Sequence, residues 1–95
     1  MNFSQLYKQM GEFSMKTFPK AGSIEHLKKL KIEADEAISE PSDIKEYVDC
    51  LLALMAAGYK AGIGPDEMIQ VAEDKFKILK QREWTEKDGI YQHVI

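Results

Sequence analysis

Cysteine occurs once, so the chain can close no internal disulfide, and Cys50 lies in an apolar run where a reduced thiol packs as a small hydrophobe. That usage fits a reducing, cytoplasmic setting. Long apolar runs are missing too. The longest, Cys50 to Ala57, is eight residues, against the roughly 20 a membrane-crossing helix needs. Met1 to Phe18 mixes Gln, Lys and Glu among its apolar residues and has no continuous apolar stretch of the signal-peptide kind, so an intracellular protein is expected. There is no excess of basic charge: the formal net charge of -3 argues against a nucleic-acid polymer as partner, though not against nucleotides. Proline is confined to positions 19, 41 and 65, and no segment alternates with the period of a strand, so the expected fold is all α.

What is present suits one soluble domain spanning residues 1–95. With 44% hydrophobic and 31% charged residues the chain can fill a core, but at this size a lone helical unit is only modestly stable, and oligomerisation would help. Four helical pieces are predicted. The first runs from about Ser4 to Thr17, with Phe3, Leu6, Met10, Phe13 and Phe18 as its apolar face. The second starts at Ser23 as N-cap and continues to Ser39, with Leu27, Leu30, Ala34, Ala37 and Ile38 facing inward. The third opens at Ser42 or Asp43, where Asp43-x-x-Glu46 reads as a capping box, and ends at Gly62. It is apolar nearly all round and should be central. The fourth begins at Gly64-Pro65-Asp66-Glu67 and runs to about Arg82, burying Met68, Ala72, Phe76 and Leu79. Residues 84–95 read as a C-terminal tail with an Asp88-Gly89 turn.

Two acidic pairs flank the turn at Pro41 and Ser42: Glu33-x-x-Glu36 before it and Glu46-x-x-Asp49 after it. Spacing of i, i+3 puts both members of a pair on one side of a helix, and the short connection folds the helices back antiparallel. At about 1.5 Å per residue, Glu36 and Glu46 lie level on either side of the turn, as do Glu33 and Asp49. Asp49 also falls in the most apolar helix, on a stripe with Glu46, Ala53, Ala56 and Lys60, where an unpaired charge is costly. Four converging carboxylates call for a hard cation such as Mg²⁺.

A divalent cation on packed helices, sharing its shell with phosphate oxygens, suits phosphoryl chemistry, and an unligated carboxylate among the four could orient or deprotonate water. Lys75, Lys77, Lys80 and Arg82 are candidates to hold phosphate oxygens. Lys80 and Arg82 are equally explained as cations at a helix C-terminus, Lys75 less easily. His26 could touch substrate or simply pack; His93 is a tail residue. No glycine-rich phosphate loop, no Cys and His cluster for zinc and no evident Ser or Cys nucleophile is present.

With Glu33-x-x-Glu36 and Glu46-x-x-Asp49 in this order, together with His26-Leu27, Ala61-Gly62-Ile63, Lys75-Phe76, Lys80-x-Arg82-x-Trp84 and Asp88-Gly89, the chain resembles the MazG-like all-α nucleoside triphosphate pyrophosphohydrolases. More narrowly, it is similar to the small dATP/dGTP pyrophosphohydrolases (MazZ-like) common in phages and prophages. The resemblance implies a four-helix bundle completed by oligomerisation into a homodimer or homotetramer, in the host cytoplasm if phage-encoded. It implies metal-dependent cleavage between the α and β phosphates, giving a nucleoside monophosphate and pyrophosphate from dGTP or dATP. Glu33, Glu36, Glu46 and Asp49 are then the catalytic ligands of one to three Mg²⁺ or Mn²⁺ ions, with Lys75, Lys80, Arg82 and His26 on the substrate. Leu79 stands where relatives often carry Asn, and Ile32 where the wider superfamily has a second Glu. Two readings compete: a non-catalytic helical dimerisation module with a structural cation or none, and the same chemistry on dUTP or dCTP.

Overall fold

A computed structural model describes all 95 residues. Four helices, α1 (Phe3–Thr17), α2 (Ser23–Ser39), α3 (Ile44–Lys60) and α4 (Pro65–Gln81), are followed by two short strands, β1 (Trp84–Lys87) and β2 (Ile90–His93).

Local chemistry sets each helix end. Asn2 caps α1 in a closed capping box: its side chain accepts from Gln5 N at 2.9 Å, and its own N–H donates to Gln5 Oε1 at 2.8 Å. The N-cap of α2 is Gly22, one residue before the expected Ser23, because the Glu25 carboxylate accepts from the Gly22 N–H at 2.8 Å. Asp43 caps α3 by accepting from Lys45 N at 2.9 Å, but the Asp43 N–H donates back to Glu40 O. The expected box with Glu46 therefore stays open, and the Glu46 side chain is left for other use. The far end of α3 is a Schellman motif: Ile63 N donates to Gly58 O and Gly62 N to Tyr59 O, with Gly62 at φ 80°. Pro65 at the first position of α4 and acids in its first turn match the sequence expectation.

Helix α3 is the centre, packed between α1 and α2. The buried stripe of α1 is Tyr7, Gly11 and Ser14 rather than the expected run of large apolar residues. Gly11 is required there. A Cβ on it would overlap the Tyr59 side chain, and one on Gly58 would overlap the Tyr7 hydroxyl, so the two helices meet at glycine on both sides. The Tyr7 hydroxyl donates to Ile63 O at 2.8 Å, tying α1 to the α3–α4 connection.

The expected burial of α4 is not realised within one protomer. No α4 residue is fully buried, and Phe76 is 59% exposed, because α4 rests mainly on α1 and projects beyond the other three helices. Nor is the tail irregular. Residues 84–93 form an antiparallel hairpin pairing Trp84 with His93 and Lys87 with Ile90. Asp88 and Gly89 both take positive φ (53° and 78°), as a two-residue type I′ turn demands. No strand residue is buried. The outcome is an elongated protomer, with a radius of gyration of 15.3 Å against about 12 Å for a compact chain of this length. None of its helices is long and apolar enough to cross a membrane.

Candidate metal centre and adjoining cleft

The turn between α2 and α3 does bring the acidic residues together. Glu33 from α2 and Glu46 and Asp49 from α3 each offer a carboxylate oxygen, and these oxygens lie within 4.8 Å of one another. Glu33 is only 8% exposed, and one oxygen each of Glu33 and Glu46 is buried without a hydrogen-bond partner. Such orphaned acceptors are costly in a folded protein unless something supplies positive charge. An all-oxygen donor set of this kind fits Mg²⁺ or Mn²⁺.

The fourth expected member, Glu36, is exposed and outside the close triad, but it joins the cluster through Glu33. A hydrogen bond with the Glu33 carboxylate, then repulsion from Glu33, desolvation and repulsion from Glu46, lift the Glu36 pKa above the usual carboxylate range. Desolvation comes first in raising Glu46, followed by repulsion from Asp43, Asp49, Glu33 and Glu40. Glu33 moves the other way, because Lys29 hydrogen-bonds to it at 2.9 Å and holds it ionised. Desolvation and the three nearby acids push the Cys50 thiol up, so it stays protonated beside the cluster. The sequence reading missed Lys29; its signal was the i, i+4 spacing to Glu33.

Glu33 and Asp49 also stand at the edge of a cleft of about 430 Å³ between α1, α2 and α3. Ala53 and Ala56 of α3 line it, so the small residues on the acidic stripe do leave room for a ligand. Phe13 and Phe18 form an aromatic wall with ring centroids 5.5 Å apart at 89°. His26 lines the cleft behind Phe18, with centroids 6.2 Å apart. It is 8% exposed, and burial, then the charge of Lys60, lower its pKa below the ordinary value, keeping it neutral.

The basic residues are elsewhere. Lys75, Lys80 and Arg82 do not line the cleft of their own protomer, and Lys80 instead lies over the Phe76 ring at 4.8 Å. Trp84 is bound into the hairpin, and its indole N–H donates to Leu79 O at 3.3 Å.

An all-α frame with a carboxylate cluster across a helical turn is the kind of site that holds a divalent cation between packed helices. The fold matches that of the cyanophage S-2L MazG-like pyrophosphohydrolase, whose structure holds dGDP and three catalytic Mn²⁺ ions per active site. The TM-score is 0.82 at 20% sequence identity, covering 100% of this chain and 99% of that one. More particularly, the chain belongs to the dATP/dGTP pyrophosphohydrolase family, whose sequence model matches residues 6–94. No protein of curated function matches it in sequence.

Proposed function

We propose that residues 1–95 act as one catalytic domain that cleaves dGTP or dATP between the α and β phosphates, releasing the deoxynucleoside monophosphate and pyrophosphate. The carrying observation is the carboxylate triad, within 4.8 Å and with orphaned oxygens, at the edge of a cleft of nucleotide size. Glu33, Glu36, Glu46 and Asp49 hold the divalent cation. When bound, it neutralises phosphate charge and makes phosphorus easier to attack. A carboxylate oxygen left free among the four orients the attacking water and takes up its proton. The water oxygen ends on phosphorus, the P–O–P link breaks and pyrophosphate departs. Lys29 keeps Glu33 ionised throughout.

The working unit we propose is a homodimer or homotetramer. The protomer exposes 7447 Å², whereas a compact monomer of 10.9 kDa exposes about 5,600 Å². The excess, about 1,900 Å², exceeds the roughly 800 Å² per partner that a standard interface buries. Ile44, Tyr47, Leu51 and Leu54 form an uncovered helical stripe on α3, and α4 is uncovered along its length. In such an assembly Lys75, Lys80 and Arg82 bind phosphate oxygens at a cleft that α4 of their own protomer does not reach. The lone half-buried, protonated Cys50 supports a reducing cytoplasmic setting.

The test is pyrophosphate release from the eight common NTPs and dNTPs, with and without Mg²⁺ or Mn²⁺, and with Glu36→Gln as control. Metal-dependent release favouring dGTP or dATP and absent from the variant is expected. Release only from dUTP or dCTP would move the substrate; none from folded, metal-loaded protein would leave a helical assembly module.

A further inference from the structure

The polar groups lining the cleft are nearly all engaged. Glu25 accepts from the Gly22 N–H, Lys29 is paired with Glu33, and Glu33 and Asp49 belong to the acidic cluster. Two atoms are left over, one Glu33 oxygen at the acidic edge and His26 Nε2, each buried without a hydrogen-bond partner. The rest of the lining is Met10, Phe13, Phe18, Ala21, Leu52 and the two alanines of α3. Away from the acidic cluster, an apolar slot with aromatic rings and one unspent hydrogen-bonding atom, His26 Nε2, suits a flat heteroaromatic ring.

The wall carrying Phe18 is not held by side-chain packing alone. Phe18 terminates α1 and begins the turn to α2, closed by Ala21 N donating to Phe18 O at 3.1 Å. From the last turn of α3, Lys60 Nζ donates to Phe18 O at 2.7 Å and to Ala21 O at 2.6 Å. These charge-assisted bonds satisfy a carbonyl at the end of α1 and fix a connection about 40 residues away in sequence. Burial, and then the Lys60 charge that these bonds place nearby, lower the His26 pKa, so the neutral imidazole can present Nε2 as a donor or an acceptor according to tautomer.

We propose that Lys60 is a positioning residue: by gripping the Phe18 and Ala21 carbonyls it sets the Phe13, Phe18 and His26 wall against which the substrate's base rests. The proposal rests on the nucleotide-hydrolase reading for its ligand class. Lys60 touches no substrate; it acts through the turn.

The test uses the full chain with Mn²⁺ and two probes, dGMP and the base-free 2-deoxyribose 5-phosphate, titrated by calorimetry. Wild type should bind dGMP about tenfold or more tightly than the base-free probe. Lys60→Met should shrink that preference to about threefold or less and raise KM for dGTP with kcat little changed, leaving Mn²⁺ affinity intact; Lys60→Arg should restore it. Phe18→Leu keeps the gripped carbonyl and should also shrink the preference, so the pocket stays testable if Lys60→Met does not fold. A preference unchanged in folded Lys60→Met refutes the positioning role. Wild type with no preference refutes the pocket, even if pyrophosphate is released. A clear preference for dGMP without pyrophosphate release from any nucleotide refutes the hydrolase reading and leaves the pocket standing.

Discussion

Gly11→Ala sets two rules against each other. On helix propensity alone, replacing a mid-helix glycine by alanine should stabilise α1 by about 1 kcal/mol. The structure requires the opposite. The added Cβ would meet the Tyr59 side chain at Cβ, Cγ and Cδ2, and a Cβ cannot rotate out of the way. Helix α1 must therefore separate from α3, an overpacking cost at the upper end of the usual range, about 3 kcal/mol. The net loss is about 2 kcal/mol, or roughly 8–16 °C in Tm for a chain of this size. Separation would also shift Met10 and Phe13, which line the cleft from the same helix, so KM should rise with the fall in Tm. Thermal unfolding at several protein concentrations measures the first effect, and steady-state pyrophosphate release the second. A Tm equal to or above that of the wild type would refute the close α1–α3 crossing.

Asp49→Asn should weaken Mn²⁺ binding by about tenfold or more while the far-UV spectrum is kept, and unchanged affinity by calorimetry would remove Asp49 from the ligand set. Without metal, the raised values of Glu36 and Glu46 mean that the folded state holds more protons than the unfolded one. Their contribution to stability is fully present below the ordinary value of 4.5 and is lost as pH rises through the raised folded values. Glu33, with a lowered value, contributes the reverse dependence at lower pH. Tm in chelator should accordingly fall less across that window in Glu46→Gln than in wild type, and Mn²⁺ should recover the wild-type loss; parallel profiles would contradict a repulsive acidic cluster. Leu51→Glu on the uncovered α3 stripe should lower the assembled mass in light scattering at micromolar concentration, and an unchanged mass would mean that this stripe is not an interface.

The elements that carry the carboxylates were legible because they depend on local rules. Helical periodicity, Asp43 at an N-cap and Gly62 past a C-cap fix the two helices, and a short turn leaves their acids little choice but to meet. Other features depend on partners that no local rule specifies. Gly11 stands in the buried stripe of α1 because Tyr59 comes too close for any side chain, and nothing within α1 reveals that approach. The Asp88-Gly89 turn was visible, but Trp84–Lys87 and Ile90–His93 have no buried face, so no inside-outside alternation marked them as strands. The apolar residues of α4 were correctly seen and wrongly assigned to the protomer's own core. Lys60 was noticed on the acidic stripe, yet its partners are carbonyl oxygens, which every residue possesses.

The same anonymity gives the Lys60 tie an evolutionary consequence. A cation that grips main-chain oxygens reads the path of the turn and not its side chains, so exchanging the residue at position 18 leaves both hydrogen bonds available. The substrate-facing wall is then free to drift in shape while its scaffold holds, and selection can retune what the cleft accepts without first rebuilding the protein around it.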